Sequence, residues 1–277
     1  MTDGTREPVE DRRHHVRSLL MRESLLDKGV MSSTETPVVR MLPDAHVIKV
    51  GGRSILDGGK ATTYPLVEAI GEQLGEKKLI IGVGGGVRSR HTFSIGIDLG
   101  LPTGVLAQLA LADALGNAHM LGTLLSPYGV VAPPPEVFGH LLPLIIQAVP
   151  GVIFNGDPPY SLWERPAGVG RIPPHRSDAG AYLLAECFGV ATMTLIKDVD
   201  GLYTADPARA GAAAERYEEV SWRTAREVGG CIVQPKAVGF AESERLEFEV
   251  AAPGATVATR VGPGPDRLTA RAAEVCA

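Results

Sequence analysis

Lys49 lies in the short apolar run Val47–Val50 and stands two residues before Gly51-Gly52. At the end of a strand, that spacing lets an ammonium reach over a glycine turn. The bare backbone N–H groups of such a turn can approach phosphate oxygens. Taken alone, Lys-x-Gly-Gly is a weak signal, because glycines after a strand are usually only turn residues. A second donor-rich turn, Gly82-Val83-Gly84-Gly85-Gly86, closes the apolar run Leu79–Val83 and opens a helix. A helix N-terminus favours an anion through its dipole and its unpaired N–H groups. The competing reading is that these glycines only allow close strand–helix packing. No Gly-Lys-Ser/Thr follows, so the turn is not a P-loop, and dinucleotide-fold spacing is absent. Arg88, Arg90 and His91 come next and would face an anion on the first helical turn, where an arginine can grip an oxyanion with two parallel bonds.

Asp178 is the carboxylate that stands out. It follows the cation-rich run Arg171-Ile172-Pro173-Pro174-His175-Arg176 and heads an apolar helix pattern from Ala179 to Phe188. Its side chain, or that of Ser177, would cap such a helix well, and a catalytic role is compatible with capping. His175 and Arg176 suit an anionic substrate or oxyanion. His91, His119, His140 and His175 show no pair at the spacing of ligands on one helix face, and a lone histidine is more often a hydrogen-bonded structural residue.

The elements that must position these groups alternate along the chain. Strands are expected at Val47–Val50, Leu79–Val83, Gly129–Ala132, Gly151–Phe154 and Thr192–Ile196. Helices are expected at Tyr64–Leu74, Gly104–Leu125, around Leu141–Ala148, and at Ala179–Phe188. Near-continuous apolar strands between helices imply a three-layer α/β/α sandwich with a mostly parallel central sheet. Residues 1–40 read as an N-terminal extension with a short helix striped by Val16, Leu19, Leu20, Leu25 and Leu26, entering the folded part through Ser32–Pro37. That stripe is too short for a core of its own and would be buried on the body or on another subunit. Residues 41–277 form the main domain.

Composition narrows the function. With 277 residues, 44% hydrophobic and 21% charged, the chain suffices for one large core. A net charge of −5 argues against nucleic acid as a partner. Three widely spaced cysteines, Cys187, Cys231 and Cys276, make neither a metal pattern nor a disulfide framework. No run approaches the ~18 apolar residues of a membrane span, and the opening residues lack the apolar core of a signal peptide. The expectation is a cytoplasmic protein with no membrane partner.

The ordered motifs carry a resemblance. VIKVGGRSI (Val47–Ile55), LIIGVGGGVRSRH (Leu79–His91), Ser177-Asp178-Ala179-Gly180-Ala181 and IKDVDGLYTADP (Ile196–Pro207) occur in the order seen in the amino-acid-kinase family, and the segment 41–217 resembles its uridylate-kinase and molybdenum-storage branches. From about residue 218 the likeness is loose, so the closing elements on the nucleotide side are expected to be shortened or remodelled. The resemblance implies a nucleotide-binding site for ATP and Mg²⁺ at Gly51, Gly52, Gly84, Gly85 and Gly86, with Asp200, Gly201, Tyr203 and Asp206 shaping the base and ribose pocket. Asp206-Pro207 equally reads as a plain turn. Lys49, Asp178 and Lys197 would carry catalysis, with Asp178 ordering the lysines and assisting the metal. Arg88, Arg90, His91, His175 and Arg176 would take the substrate or oxyanion. Lys236 is a further candidate cation, offset from the family's spacing.

Two functions follow from the resemblance. One is ATP- and Mg²⁺-dependent accumulation of molybdate or tungstate. The other is ATP-dependent phosphoryl transfer to a nucleotide monophosphate or another small anionic acceptor. A nucleotide-binding regulator without turnover is a third. The resemblance further implies a homo-hexamer, or a hetero-hexamer with a related chain, contacted through the N-terminal extension.

Overall fold

The computed structural model describes residues 40–53, 55–156, 167–190, 192–210, 213–230 and 232–269. The apolar stripe between Val16 and Leu26, the linker at Ser32–Pro37, Cys231 and Cys276 lie outside the described residues. Strand β1 (Ala45–Val50) is buried at every position, and β2 (Lys78–Val83) at all but its first. Then come β3 (Val130–Val131), β4 (Gly151–Phe154), β5 (Thr192–Ile196), β6 (Tyr217–Ser221), β7 (Phe248–Ala251), β8 (Ala258–Gly262) and β9 (Arg267–Leu268). They form one sheet in the order β3-β4-β2-β1-β5-β7-β8-β6-β9. All pairings are parallel except β7 with β8 and β6 with β9.

The helices are α1 (Lys60–Gln73), α2 (Gly86–Asp98), α3 (Thr103–Leu125), α4 (Pro135–Ala148), α5 (Ser177–Cys187), the single turn α6 (Pro207–Ala210), α7 (Trp222–Val228) and α8 (Pro235–Ser243). Strand alternation sorts them into two layers. Val47, Ile80, Val152 and Leu195 point to one face and pack with Phe138 and Leu142 of α4, Tyr182 and Leu184 of α5, and Val238 of α8. Ile48, Val50, Leu79 and Ile81 point to the other and meet Leu66 and Ile70 of α1 and Leu121 and Leu125 of α3. This is the three-layer sandwich with a mostly parallel sheet that the alternating pattern implies. The C-terminal part, where shortened or remodelled closing elements are expected, continues the sheet. Its two Gly- and Pro-rich stretches are turns around complete strands, and β7 and β8 form an antiparallel pair that extends the sheet beyond β5.

The strand order places the site. From β1 the chain passes to β2 on one side, skips to the edge strand β3, inserts β4 between β3 and β2, then returns to lay β5 on the other side of β1. Loops leaving β1, β2 and β5 therefore diverge, and a crevice opens at their carboxyl ends, where ligands settle in sheets of this kind.

Candidate nucleotide and oxyanion site

A cleft of about 680 Å³ occupies that crevice. Lys49 from β1, Asp178 from the first turn of α5 and Lys197 just after β5 meet at its floor, all buried. The Lys49 Nζ lies 2.7 Å from Asp178 Oδ1, and the Lys197 Nζ lies 3.0 Å from Oδ2 and 3.2 Å from Oδ1. Parallel pairing of β1 with β5 sets this geometry, because it puts Lys49 opposite Leu195, two residues short of Lys197. Burial pulls the Lys49 pKa down from 10.5 to about 8, and the nearby Lys197 charge adds to that, while Asp178 opposes both. Burial pushes Asp178 up, but the two ammoniums outweigh it and hold the carboxyl well below its usual value. Asp178 is thus an anion shared by two cations.

The capping role open to Asp178 is not the one it takes. Arg176 occupies the N-cap of α5, with no side-chain cap bond, and the Asp178 carboxylate turns to the lysines. Its place in the first turn still suits the helix dipole.

Gly51, Gly52, Gly84, Gly85 and Gly86 line the cleft. The packing reading of these glycines also holds: a side chain on Gly52 would run into the Gly84 carbonyl and the Gly86 nitrogen. The two turns interlock and face the same space. One part of the expected anion seat is filled by the chain itself. Asp57 accepts a 2.6 Å bond from the Val87 N–H, at the start of α2, where Gly86 has φ +69°. Its own N–H donates to Gly52 O at 3.0 Å, so Asp57 ties the first turn to the second.

Of the expected oxyanion residues, Arg90, His175 and Arg176 line the cleft, while Arg88 and His91 do not. The reason is the 3.6-residue helical period: Ser89, Arg90 and Phe93 share the cleft-facing side of α2, and Arg88 and His91 fall away from it. Arg88 reaches instead toward Gly116 on α3. Burial and the positive charge of Lys236 lower the His175 pKa. Lys236 itself is exposed and outside the cleft wall.

On the other side of the lysines, Tyr203 and Asp206 line the cleft as expected, whereas Asp200 and Gly201 stand behind it. Asp200 accepts a 2.5 Å bond from the Tyr203 hydroxyl and lies 4.0 Å from Arg216. Gly201 packs where any side chain would meet Thr259 Oγ1 and Arg216. Thr259 accepts from the Leu202 N–H and donates to Tyr217 O, at 2.9 and 2.6 Å. Asp206 accepts from the Ala208 N–H, so it caps the short helix α6 as well as lining the cleft. Val228, Ile232 and Val233 complete an apolar wall here, with the amide of Gln234 beside it. Arg53, Asn155, Asp57, Arg216 and Thr259 were not singled out from sequence. The first three sit within or just beyond strand-end turns, a usable cue; Arg216 and Thr259 lie far along the chain and carried none.

The described residues do not build a metal cage. Among them no three metal-binding side chains converge, and both Asp178 oxygens are taken by ammonium groups.

A model of the amino acid kinase family matches residues 45–250, the span from β1 into β7. The chain is 50% identical over 193 residues to the molybdenum storage protein subunit beta of Azotobacter vinelandii, covering 68% of this chain and 70% of that protein. It is 28% identical over 162 residues to a uridylate kinase of Methanopyrus kandleri, covering 56% of this chain and 65% of that one. The fold is also that of the crystal structure of uridylate kinase from Archaeoglobus fulgidus, with a TM-score of 0.61 at 21% identity over 78% of this chain and 99% of that chain. The family match covers the strands whose carboxyl ends carry Lys49, Gly84 and Lys197, the half-identical relative covers 68% of the chain, and on these grounds the chain belongs to the amino acid kinase family.

Proposed function

We propose that the cleft binds ATP and that the protein uses it to accumulate molybdate or tungstate. The observation that carries the reading is the 50% identity, over 193 residues, to a molybdenum storage protein subunit. The geometry supports an anion-handling site. Lys49 and Lys197 present two ammoniums fixed by one carboxylate, and Arg53, Arg90 and Arg176 add positive charge along the wall. In such a site the nucleotide phosphates lie over the two glycine turns, and the lysines stabilise charge that develops on the transferred group. Asp178 keeps both ammoniums aimed; it touches the reaction through them. The Mg²⁺ that travels with the nucleotide supplies further charge neutralisation when bound. The exposed apolar residues Val87, Ile95, Leu99, Leu109, Met120 and Leu144 on α2, α3, α4 and the turn after α2 support an assembly, a hexamer of this chain or of this chain with a related subunit.

A second reading, phosphoryl transfer to a nucleotide monophosphate, is favoured by the likeness to uridylate kinases. Metal analysis separates the two. Protein isolated from molybdate-fed cells with ATP present is expected to carry many molybdenum atoms per chain. A protein free of molybdenum that converts ATP to ADP only when UMP is added, with UDP formed in equal amount, overturns storage in favour of the kinase.

A further inference from the structure

We propose that Asn117, in the middle of α3, is a positioning residue that holds the second glycine turn open for an oxyanion; this rests on the anion-binding reading of the cleft. Asn117 is fully buried, and its Nδ2 donates a 2.7 Å bond to the carbonyl of Gly84. Its Oδ1 has no partner among the described residues. A buried amide with one end orphaned costs desolvation that an apolar side chain of the same size would avoid. Its neighbours facing the core from α3, Ala114, Ala118 and Leu121, are all apolar, so packing alone does not call for a polar group here. The bond to Gly84 is what the amide supplies.

That bond acts on a single peptide plane. The peptide joining Gly84 to Gly85 is planar and trans, so its C=O and N–H point in opposite directions. Fixing the Gly84 oxygen on Asn117 turns the Gly85 N–H the other way. Gly85 lines the cleft, and its N–H donates to no backbone carbonyl among the described residues. Two glycines in succession leave this plane little intrinsic preference, because glycine backbones cross between conformations that other residues cannot reach. Besides the bond from Asn117, Gly84 is held by its N–H to Val50 O at 3.3 Å and by the close approach of its carbonyl to Gly52. Without Asn117 the plane loses the hydrogen bond that fixes its carbonyl, and a tilt presents the negative end of that dipole toward an incoming anion. Thr92 and Asp113, joined by a 2.9 Å bond, hold α2 against α3 nearby, so the helix pair does not depend on Asn117.

The test uses the full chain and two probes, orthophosphate and Mg-ATP, titrated by calorimetry into wild type, Asn117→Leu and Asn117→Asp. Asn117→Leu is expected to stay folded, with a thermal midpoint within about 5 °C of wild type. Its affinity for both probes is expected to fall about tenfold, the scale of one oriented hydrogen bond to a charged group. Asn117→Asp gives a readout that simple core filling does not move. While its carboxyl is protonated it can still donate to the Gly84 oxygen; once ionised it can only repel it. Its affinity relative to wild type should therefore fall as pH rises through the carboxyl's titration. Wild-type affinity in Asn117→Leu, or an Asp-to-wild-type ratio independent of pH, overturns the proposal. If Asn117→Leu fails to fold, the Asp ratio alone decides. Failure of the wild type to bind either probe overturns the nucleotide reading and this one together, whereas binding by all three proteins alike overturns only this one.

Discussion

Two lysines share one carboxylate at the floor of the cleft, and the sharing makes each of the three sensitive to the others. Lys49 has its pKa lowered from 10.5 to about 8 by burial first and by Lys197 second. A depressed lysine is charged less readily folded than unfolded, so between about pH 8 and 10.5 the unfolded chain binds the extra proton and stability rises with pH there. Anion binding runs the other way. Affinity for Mg-ATP is expected to decline as pH rises through about 8 and the ammonium is lost. Lys49→Arg, always charged, should abolish that decline, and Lys49→Ala should weaken binding at every pH; calorimetry between pH 6.5 and 9.5 reads both. The Asp178→Asn variant tests the carboxylate. Neutralising it leaves two buried ammoniums facing each other, a loss of about 3–5 kcal/mol on the scale of a broken buried pair. The fully stable, inactive Asn variant that a capping role would allow is therefore not expected. Chemical denaturation should show a lowered midpoint together with loss of ATP-dependent activity, and unchanged stability would count against the shared-anion geometry. Asp178 itself stabilises the fold above pH 3.8, and that contribution is lost as pH falls below it.

At the level of elements, the sheet positions more than the cleft. On the buried central strand β1, opposite the site, His46 lies between two hydroxyls of β5, 2.6 Å from Thr192 Oγ1 and 3.0 Å from Thr194 Oγ1. Burial, with the charge of Lys77, lowers its pKa from 6.5 to about 4. The folded state keeps this ring neutral where the unfolded chain would protonate it. Stability contributed this way is present above pH 6.5 and lost as pH falls toward 4, by on the order of 3 kcal/mol. His46→Leu should flatten the stability–pH curve in that window, and an unchanged slope in denaturant titrations at pH 4.5 and 6.5 would remove His46 from the account. Helix α2 teaches the companion lesson. Its period brings Arg90 to the cleft and carries Arg88 and His91 away, and its N-terminal Val87 N–H is already bonded to Asp57.

For the whole molecule the open question is assembly. Leu144 is 71% exposed and Leu99 67%, large apolar side chains that a subunit contact would cover. Light scattering of the full chain at micromolar concentration is expected to report a hexamer. Deleting the first 35 residues should lower the assembly state or its stability if the N-terminal stripe carries contacts. An intact hexamer after deletion would shift those contacts to the α2–α4 surface, and a clean full-length monomer would defeat the assembly altogether. Among the described residues no helix is long and apolar enough to cross a membrane.

Local signals in the chain were sufficient for the sandwich and for the placing of Lys49 and the glycine turns at strand ends. Apolar runs of four to six residues between helical periods set β1, β2, β4 and β5, and β4 and β5 begin and end at the expected residues. Lys49 and the glycine turns are legible because their chemistry is local: a cation and its donors lie within a few residues of one strand end. Tertiary structure decided what depends on distant pairing. Whether Asp178 caps a helix or binds lysines depends on β1 and β5 being neighbours although the paired residues His46 and Thr192 are 146 positions apart. Asp200 and Gly201 stand behind the cleft because Thr259 and Arg216, from β8 and the approach to β6, fill the space around them. Asn117 reaches Gly84 only because α3 folds back over β2. Hydrophobic period and turn chemistry act over a few residues, whereas the partner of a buried polar group is chosen by the packing of the whole sheet.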